Sequence, residues 1–511
     1  MELWLLITVT AFIAVLITAY SSTSNSKPKS KWPPGPTYLP IITQISWLRK
    51  TSLQAESTLR SLRDKFGPIV TISSNPARPV IYIFNHELAH QALVQNGAVF
   101  ADRPKPLPIV KIVSSNQHNI TFSSYGPFWR LLRRNLTSMM LHSSRIKDFS
   151  FARKWVLEDI LVSGLKGTSE SGNGVVQVID HFRFAMFGLL VVMCFGDKLD
   201  ESQIKEIERV QQGLLISLLT RFRILNLKPW LTRVLLKGRW DEFFELKKEQ
   251  ADVLLTHIAA RKKLQNEIEK SGLSLVTCYV DSLLKLEIPE EGNRKLSEDE
   301  LVAACSEFLN AGTDTTATTL QWIMANMVKN PEIQTRVFEE IKAVIGNQAE
   351  EVKEDDLSDM SYLKAVVLEG LRRHPPGHSL LPHAVTKEVE LGGYIVPKNA
   401  VVNFAVAEMG WDPVLWEDPM EFNPERFMSG QDEFDITGSR EIKMMPFGVG
   451  RRICPGLGLA LLHLEYFVAN LVWKFEWMGV EGHEVDLSEK QEFTIVMKNP
   501  LHARISPRFT R

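Results

Sequence analysis

The chain has 511 residues, 44% hydrophobic and 23% charged, and its 59 basic and 60 acidic side chains leave a net charge of −1. That composition belongs to a folded globular protein and excludes a disordered one. The even balance also lacks the basic excess that a nucleic-acid binder needs. Length alone allows two or three domains. No Gly/Ser- or Pro-rich linker and no repeat divides the middle of the chain, however, so one large unit over 37–511 is expected behind a short N-terminal extension.

Residues 1–20, MELWLLITVTAFIAVLITAY, carry a single charge, Glu2. As a helix they would span about 30 Å, the thickness of a bilayer core. A cleaved signal peptide is the competing reading. It would place a basic residue before the apolar run and a small-residue cleavage site after it. Here the basic residues Lys27, Lys29 and Lys31 follow the run. The pattern therefore predicts an uncleaved membrane anchor with the body of the protein in the cytosol. The sequons at Asn119 and Asn135 would then stay unglycosylated. The basic linker 21–36 ends in Pro33-Pro34-Gly35-Pro36, a stiff non-helical hinge because proline fixes φ and restrains its predecessor. Such a stretch also suits an SH3-type ligand.

Further along, runs at 69–72 and 80–83 read as two strands joined by an Asn/Pro turn. Gly126-Pro127 precedes a helix from about Phe128 that carries Trp129, Arg130, Arg133 and Arg134. The clearest helix opens with the capping box Ser297-Glu298-Asp299-Glu300 and closes at Asn330-Pro331. At helical rise it is roughly 50 Å long and must cross the body of the domain. Its centre reads Asn310-Ala311-Gly312-Thr313-Asp314-Thr315-Thr316. Glycine and back-bonding threonines weaken a helix, so a local opening against a ligand is expected here, with a kinked solvated face as the alternative. A helix from Tyr362 to Arg373 stops at His374-Pro375-Pro376 and puts Glu369 and Arg372 on one face. Short strands follow at 389–396, around Gly392-Gly393, and at 401–406. The expected fold class is mainly α with small β-sheets.

Cys194, Cys278, Cys305 and Cys454 show no CxxC spacing, so neither a zinc site nor a disulfide framework is suggested. The first three read as small buried hydrophobes. Cys454 differs. It closes the loop Pro446-Phe447-Gly448-Val449-Gly450-Arg451-Arg452-Ile453-Cys454-Pro455-Gly456, just before an apolar helix at 457–473. A sulfur there faces the positive end of a helix dipole beside two arginines, and both favour a thiolate. Nucleophilic catalysis would want an adjacent base, and zinc would want companion ligands; the loop offers neither. A dinucleotide loop fails because Ile453 stands in the place of the third glycine. A thiolate ligand on a haem remains, with arginines for its propionates.

The loop resembles the haem-binding signature of the cytochrome P450 superfamily at Phe447, Gly450, Arg452, Cys454 and Gly456. Ala311-Gly312-Thr313-Asp314-Thr315 is similar to that family's oxygen-activation motif, and Glu369-Gly370-Leu371-Arg372 to its Glu-x-x-Arg pair. Phe422-Asn423-Pro424-Glu425-Arg426-Phe427 resembles the segment whose arginine completes the triad. Trp129 and Arg133 resemble its Trp-x-x-x-Arg motif, and Pro33-Pro34-Gly35-Pro36 its hinge. The motifs stand in the family's order from Trp32 to Arg508. In detail they are most similar to plant microsomal members, in the groups numbered eighty-nine or seventy-seven. One departure is His383 after Pro382, where many members have arginine; if it touches a propionate, its charge would depend on pH.

The resemblance implies the cytochrome P450 fold over 37–511, with the long central helix over haem b, and a monooxygenase activity. Cys454 would be the iron ligand, with Phe447 packed near its sulfur. Trp129, Arg133, Arg452 and His383 would hold the propionates. Glu369, Arg372 and Arg426 would be structural. Asp314 and Thr315 would be catalytic, managing proton delivery, and Gly312 would let oxygen and substrate approach the helix backbone. Pocket residues would come from 111–122, 308–315, 377–381 and 493–497. The chain has no flavin or nicotinamide motif, so the resemblance implies electrons from NADPH–cytochrome P450 reductase, with cytochrome b5 as a helper, at the endoplasmic reticulum. Arg130 and Arg134 read equally as a docking face for an acidic partner or as a solvated helix face. Two other readings are a haem-thiolate isomerase or dehydratase acting on a peroxide, which would be expected to lose the Asp-Thr pair, and a non-catalytic haem-binding protein.

Overall fold

A computed structural model describes residues 31–36, 52–73, 78–227, 229–271, 276–428 and 434–509. The expected anchor over 1–20 lies outside these. Among the described residues no helix is long and apolar enough to cross a membrane.

Helices dominate, as expected. The two that form the centre are α1 (Ile179–Phe195) and α2 (Glu298–Lys329). The sequence of α1 is apolar almost throughout, and it is buried on nearly every side, the pattern of a helix inside a large domain rather than on its surface. It packs along α2 more extensively than any other pair of elements. The capping box of α2 is formed as expected: Ser297 Oγ accepts from the Glu300 amide at 3.3 Å, and Glu300 Oε2 accepts from the Ser297 amide at 2.7 Å. Against α2 also pack α3 (Pro331–Ile345), α4 (Ser361–Arg373) and α5 (Leu457–Lys474).

The expected opening in α2 does not occur. The helix is unbroken from Glu298 to Lys329. Its threonines are accommodated by back-bonding: the hydroxyls of Thr313, Thr315 and Thr319 donate to the carbonyls of Leu309, Ala311 and Thr315 at 2.7, 2.8 and 2.8 Å. Each hydroxyl is thus satisfied within the helix, and no backbone group has to leave the ladder.

The sheets lie to one side. β1 (Ile69–Ser73) and β2 (Val80–Ile83) pair antiparallel, and β4 (Val401–Phe404) joins β2 in parallel with Val80 opposite Val401. β3 (His383–Ala384) completes the sheet against β4, giving the order β1-β2-β4-β3. The proline-rich hinge is pinned onto this sheet: the amide and hydroxyl of Thr71 donate to the carbonyls of Pro34 and Pro33, both at 2.8 Å. A side chain at Gly35 would place Cβ 1.8 Å from the Thr71 carbonyl oxygen, so only glycine lets the two backbones meet.

Candidate functional site

Cys454 ends a tight loop whose turn, Gly450–Arg452, holds Gly450 at φ +76° against the Leu93 carbonyl, 2.1 Å from where a Cβ would lie. The Cys454 amide donates to the Phe447 carbonyl at 2.8 Å, which closes the loop. Gly456 is the N-cap of α5, so the sulfur stands at that helix's N-terminus, as its sequence position suggested. The electrostatics differ from expectation. Burial dominates and pushes the Cys454 thiol up, while a hydrogen bond from the Gly456 backbone and the charge of Arg133 pull it down. Arg451 and Arg452 do not serve the sulfur: Arg451 Nη1 donates to the Tyr125 hydroxyl, and Arg452 Nε and Nη1 donate to the carbonyls of Ala101 and Ile120 at 2.6 and 3.2 Å. A buried thiol whose protein surroundings leave it protonated becomes a thiolate on coordination, because a bound cation removes the proton outright.

Beside the loop lies a group of cations, each only partly exposed. Trp129, on the helix Pro127–Met139, is 5% exposed and donates Nε1–H to the Ile120 carbonyl at 3.1 Å. The guanidiniums of Arg452 and Arg133 lie 4.8 and 5.9 Å from its ring. Arg103, which sequence reasoning missed, donates to the carbonyls of Thr121, Leu381 and Pro382 at 2.8, 2.9 and 3.0 Å. Burial, then the neighbouring Arg452, holds Arg103 down at about 9. Burial likewise lowers Arg452 to about 10, and lowers Arg133. Among the described residues none of the three forms an ion pair with a carboxylate; Asp102 and Glu307 compensate only at longer range. Cations are seldom buried without a matching anion. The set fits a group that brings its own carboxylates, as the propionates of haem would.

His383 joins this group. Its Nδ1 is 2.7 Å from the Phe100 carbonyl, to which it donates, and the ring is 3% exposed. Burial, then Arg103, lowers its pKa to about 3, so its protein surroundings favour the neutral ring; a propionate beside it would act in the opposite direction.

On the opposite side stands the middle of α2. The turns around it are buried, yet Ala311 is exposed and Thr315 partly so, which marks an internal cavity at this face. The Thr315 hydroxyl bonds to Ala311, while Asp314 Oδ1 lies 3.1 Å from Arg183 Nε, and Arg183 Nη2 lies 3.2 Å from Glu492 Oε2. Burial raises the Asp314 pKa, Arg183 opposes, and Glu492 raises it further. Gly312 also has a packing role: a Cβ there would lie 2.9 Å from Leu190 Cδ1, so its smallness lets α1 approach α2.

Behind the loop, Glu369 and Arg372 form a fully buried bidentate pair at 2.7 and 2.6 Å, and Arg426 Nε lies 3.4 Å from Glu369 Oε1. Arg372 also donates to the carbonyls of Gly410, Pro419 and Glu421. The structural triad read from sequence is assembled.

A cysteine at a helix N-terminus, beside partly buried arginines that have no carboxylate partner among the described residues, is an arrangement that suits a haem-thiolate site. The chain matches the Cytochrome P450 family over residues 33–505 and belongs to it. It is 54% identical over 490 residues to cytochrome P450 89A9 of Arabidopsis thaliana, covering 94% of each chain, in line with the first of the two plant groups expected. It is 30% identical to the sarpagan bridge enzyme of Gelsemium sempervirens, covering 92% of this chain and 91% of that one. It is 28% identical to the phenylacetaldehyde oxime monooxygenase of Prunus mume, covering 97% and 93%. A zebrafish cytochrome P450 structure with progesterone superposes with a TM-score of 0.72 at 22% identity, covering 89% of this chain and 99% of that one, and shows the same fold. The protein is thus a haem-thiolate monooxygenase, and haem b is its cofactor.

Proposed function

We propose that this monooxygenase is held at the cytosolic face of the endoplasmic reticulum membrane, takes electrons from NADPH–cytochrome P450 reductase with cytochrome b5 as an auxiliary donor, and oxidises a hydrophobic small molecule. The observation that carries the site assignment is the arginine set beside Cys454, partly buried and without a carboxylate partner among the described residues. Cys454 would be the axial ligand, with Phe447 packed close to it, and Trp129, Arg103, Arg133, Arg452 and His383 would hold the propionates. When bound, haem with a thiolate ligand supplies the activation of dioxygen.

The chain's own contribution is to deliver protons and shape the cavity. Glu492, 40% exposed, meets solvent; Arg183 links it to Asp314, whose pKa burial raises, which favours taking up a proton and passing it on. Thr315 Oγ1, turned away from the Ala311 carbonyl, would hold a water or a substrate oxygen in the cavity. Asp314 and Thr315 face different partners at rest, so the transfer needs a side-chain rotation or a bridging water.

Membrane attachment rests on the sequence of 1–20 and on a second feature. Many of the exposed large apolar side chains fall between 216 and 235, with Trp230 71%, Val234 76% and Leu235 69% exposed, interleaved with Arg221, Arg223 and Arg233. That mixture suits the headgroup boundary of a bilayer. Cytosolic orientation agrees with the sequons: Asn119 is 6% exposed and Asn135 Nδ2 donates to Ser282 at 2.9 Å, which leaves neither amide free for a glycan.

The test is reconstitution with reductase, NADPH and a panel of hydrophobic metabolites, screened first for a substrate-induced shift of the haem spectrum. NADPH- and O2-dependent product from a shift-inducing compound is expected. Turnover of a peroxide without reductase, or haem binding with no turnover of any spectrally active compound, would replace this reading with an isomerase or a non-catalytic binder.

A further inference from the structure

The segment 114–123 contains three consecutive non-glycine residues in the left-handed region: Ser115, Asn116 and Gln117 have φ of 47°, 59° and 68°. Left-handed residues normally occur singly, and such strain persists only where the surroundings over-determine it. What holds this segment is visible. His118 Nδ1 lies 2.5 Å from Glu300 Oε1. The amides of Ile120 and Thr121 donate to the two carboxylate oxygens of Glu307 at 2.9 and 2.5 Å. From the other side, the carbonyls of Ile120 and Thr121 accept from Trp129 and Arg103. Arg452 adds a bond to Ser123 at 2.5 Å. The segment therefore bridges two walls of the site, its N–H groups on α2 and its carbonyls on the arginine set.

Glu307 stands one helical turn before Ala311 and two before Thr315, on the face that lines the cavity. No feature of α2 requires a carboxylate there, since burial there works against its charge and the helix is complete without it. Its use is to answer two amide donors that the strained turn leaves pointing at the helix.

We propose that Glu307 is a positioning residue: its carboxylate clamps 118–123 between the central helix and the arginine set, and so decides the size of molecule that reaches the cavity face of α2. The proposal rests on the haem-site reading above. Glu307→Gln keeps the shape but turns an NH2 towards one of the two N–H donors. Glu307→Asp keeps the charge but falls one methylene short.

The experiment uses the full-length haem-loaded protein with imidazole and 4-phenylimidazole as probes of access to the iron. In Glu307→Gln the ratio of their affinities is expected to change about tenfold, the worth of one charge-assisted hydrogen bond, and by less in Glu307→Asp. A purely structural role would lower thermal stability and leave that ratio alone. Amide exchange is read in parallel. In the wild type, Ile120 and Thr121 should exchange as slowly as helix amides, and in Glu307→Gln they should exchange faster while 316–328 of α2 stays protected. An unchanged ratio overturns the role in access whatever the exchange shows, and unchanged exchange overturns the clamp. If the Gln variant does not fold, the wild type alone decides, because exchange of these two amides at the rate of open loops also overturns it. Haem content and the thiolate-type spectrum of the reduced CO complex are read on the same samples; their absence in the wild type refutes the site reading itself, which keeps the two failures apart.

Discussion

Two sets of arginines, one centred on fully buried Arg372 and one only partly buried beside the Cys454 loop, are completed in opposite ways. Arg372 spends its donors on Glu369 and on three backbone carbonyls, and the Glu369 carboxylate also receives Arg426 and the Asn423 amide. That network is closed: its charges answer each other within the protein. Arg103, Arg133 and Arg452 also find carbonyls or an aromatic face, but among the described residues no carboxylate closes on them, and burial lowers all three. A closed buried network belongs to the fold. An open one marks where a charged ligand completes the protein.

The comparison predicts how each set breaks. Arg372→Leu strands Glu369 as a buried, partly unpaired charge and should cost about 3–5 kcal/mol, much of a domain's stability. Thermal unfolding and the yield of folded protein should both collapse. Thr315→Ala should leave fold and haem intact yet divert reducing equivalents to peroxide. General acid catalysis is typically worth 10²–10⁴-fold, so product per NADPH should fall steeply; full coupling would remove Thr315 from the mechanism. Arg452→Leu removes one of the mutually repelling cations. The apoprotein should lose clearly less stability than in Arg372→Leu, since only carbonyl bonds and no ion pair are lost, while haem transfers to apomyoglobin about tenfold faster, the expected loss of one charge-assisted contact. If Arg452→Leu and Arg372→Leu destabilise the apoprotein equally, the distinction between open and closed sets fails.

The smallest effect concerns pH. The folded pKa of His383 is lowered to about 3, and that of His374 to about 4, in each case by burial first. An unfolded histidine titrates near 6.5. Below that value the unfolded chain therefore binds protons that the fold refuses. The stability contribution is present above about pH 6.5 and is lost as pH falls towards the folded values. His383→Asn, which preserves a donor for the Phe100 carbonyl, should flatten the acid limb of a stability–pH curve. A titration step near neutrality that disappears in the variant would show that His383 is not buried neutral.

What was readable in the sequence was what local rules dictate. Ser297 and Glu300 cap α2 because a serine and a glutamate at that spacing satisfy two orphan amides, wherever the helix lies. Glu369 and Arg372 meet because residues three apart share a helix face. Trp129 and Arg133 came from a motif, and they meet for the related reason of four-residue spacing. What escaped depends on distant segments. Arg103 reaches the site through carbonyls of Leu381 and Pro382, far along the chain, and nothing around Asp102-Arg103-Pro104 announces it. Glu307 looks like one more acidic residue on a helix until its two amide partners are seen. The packing role of Gly312 escaped as well, because its neighbour Leu190 arrives from another helix. The arginines beside Cys454 were read as its partners by adjacency, but the turn over 450–452 sends them elsewhere, and the cation that reaches the sulfur is Arg133.

The most direct measurement is the spectrum of the reduced CO complex of the purified full-length protein, taken beside Cys454→Ala prepared with ample haem. The wild type should carry haem and show the red-shifted Soret band of a thiolate ligand, and the variant should lose that band whether or not it retains haem. A wild type that folds without haem, or a thiolate-type band that survives in Cys454→Ala, would contradict the bond on which the site is built.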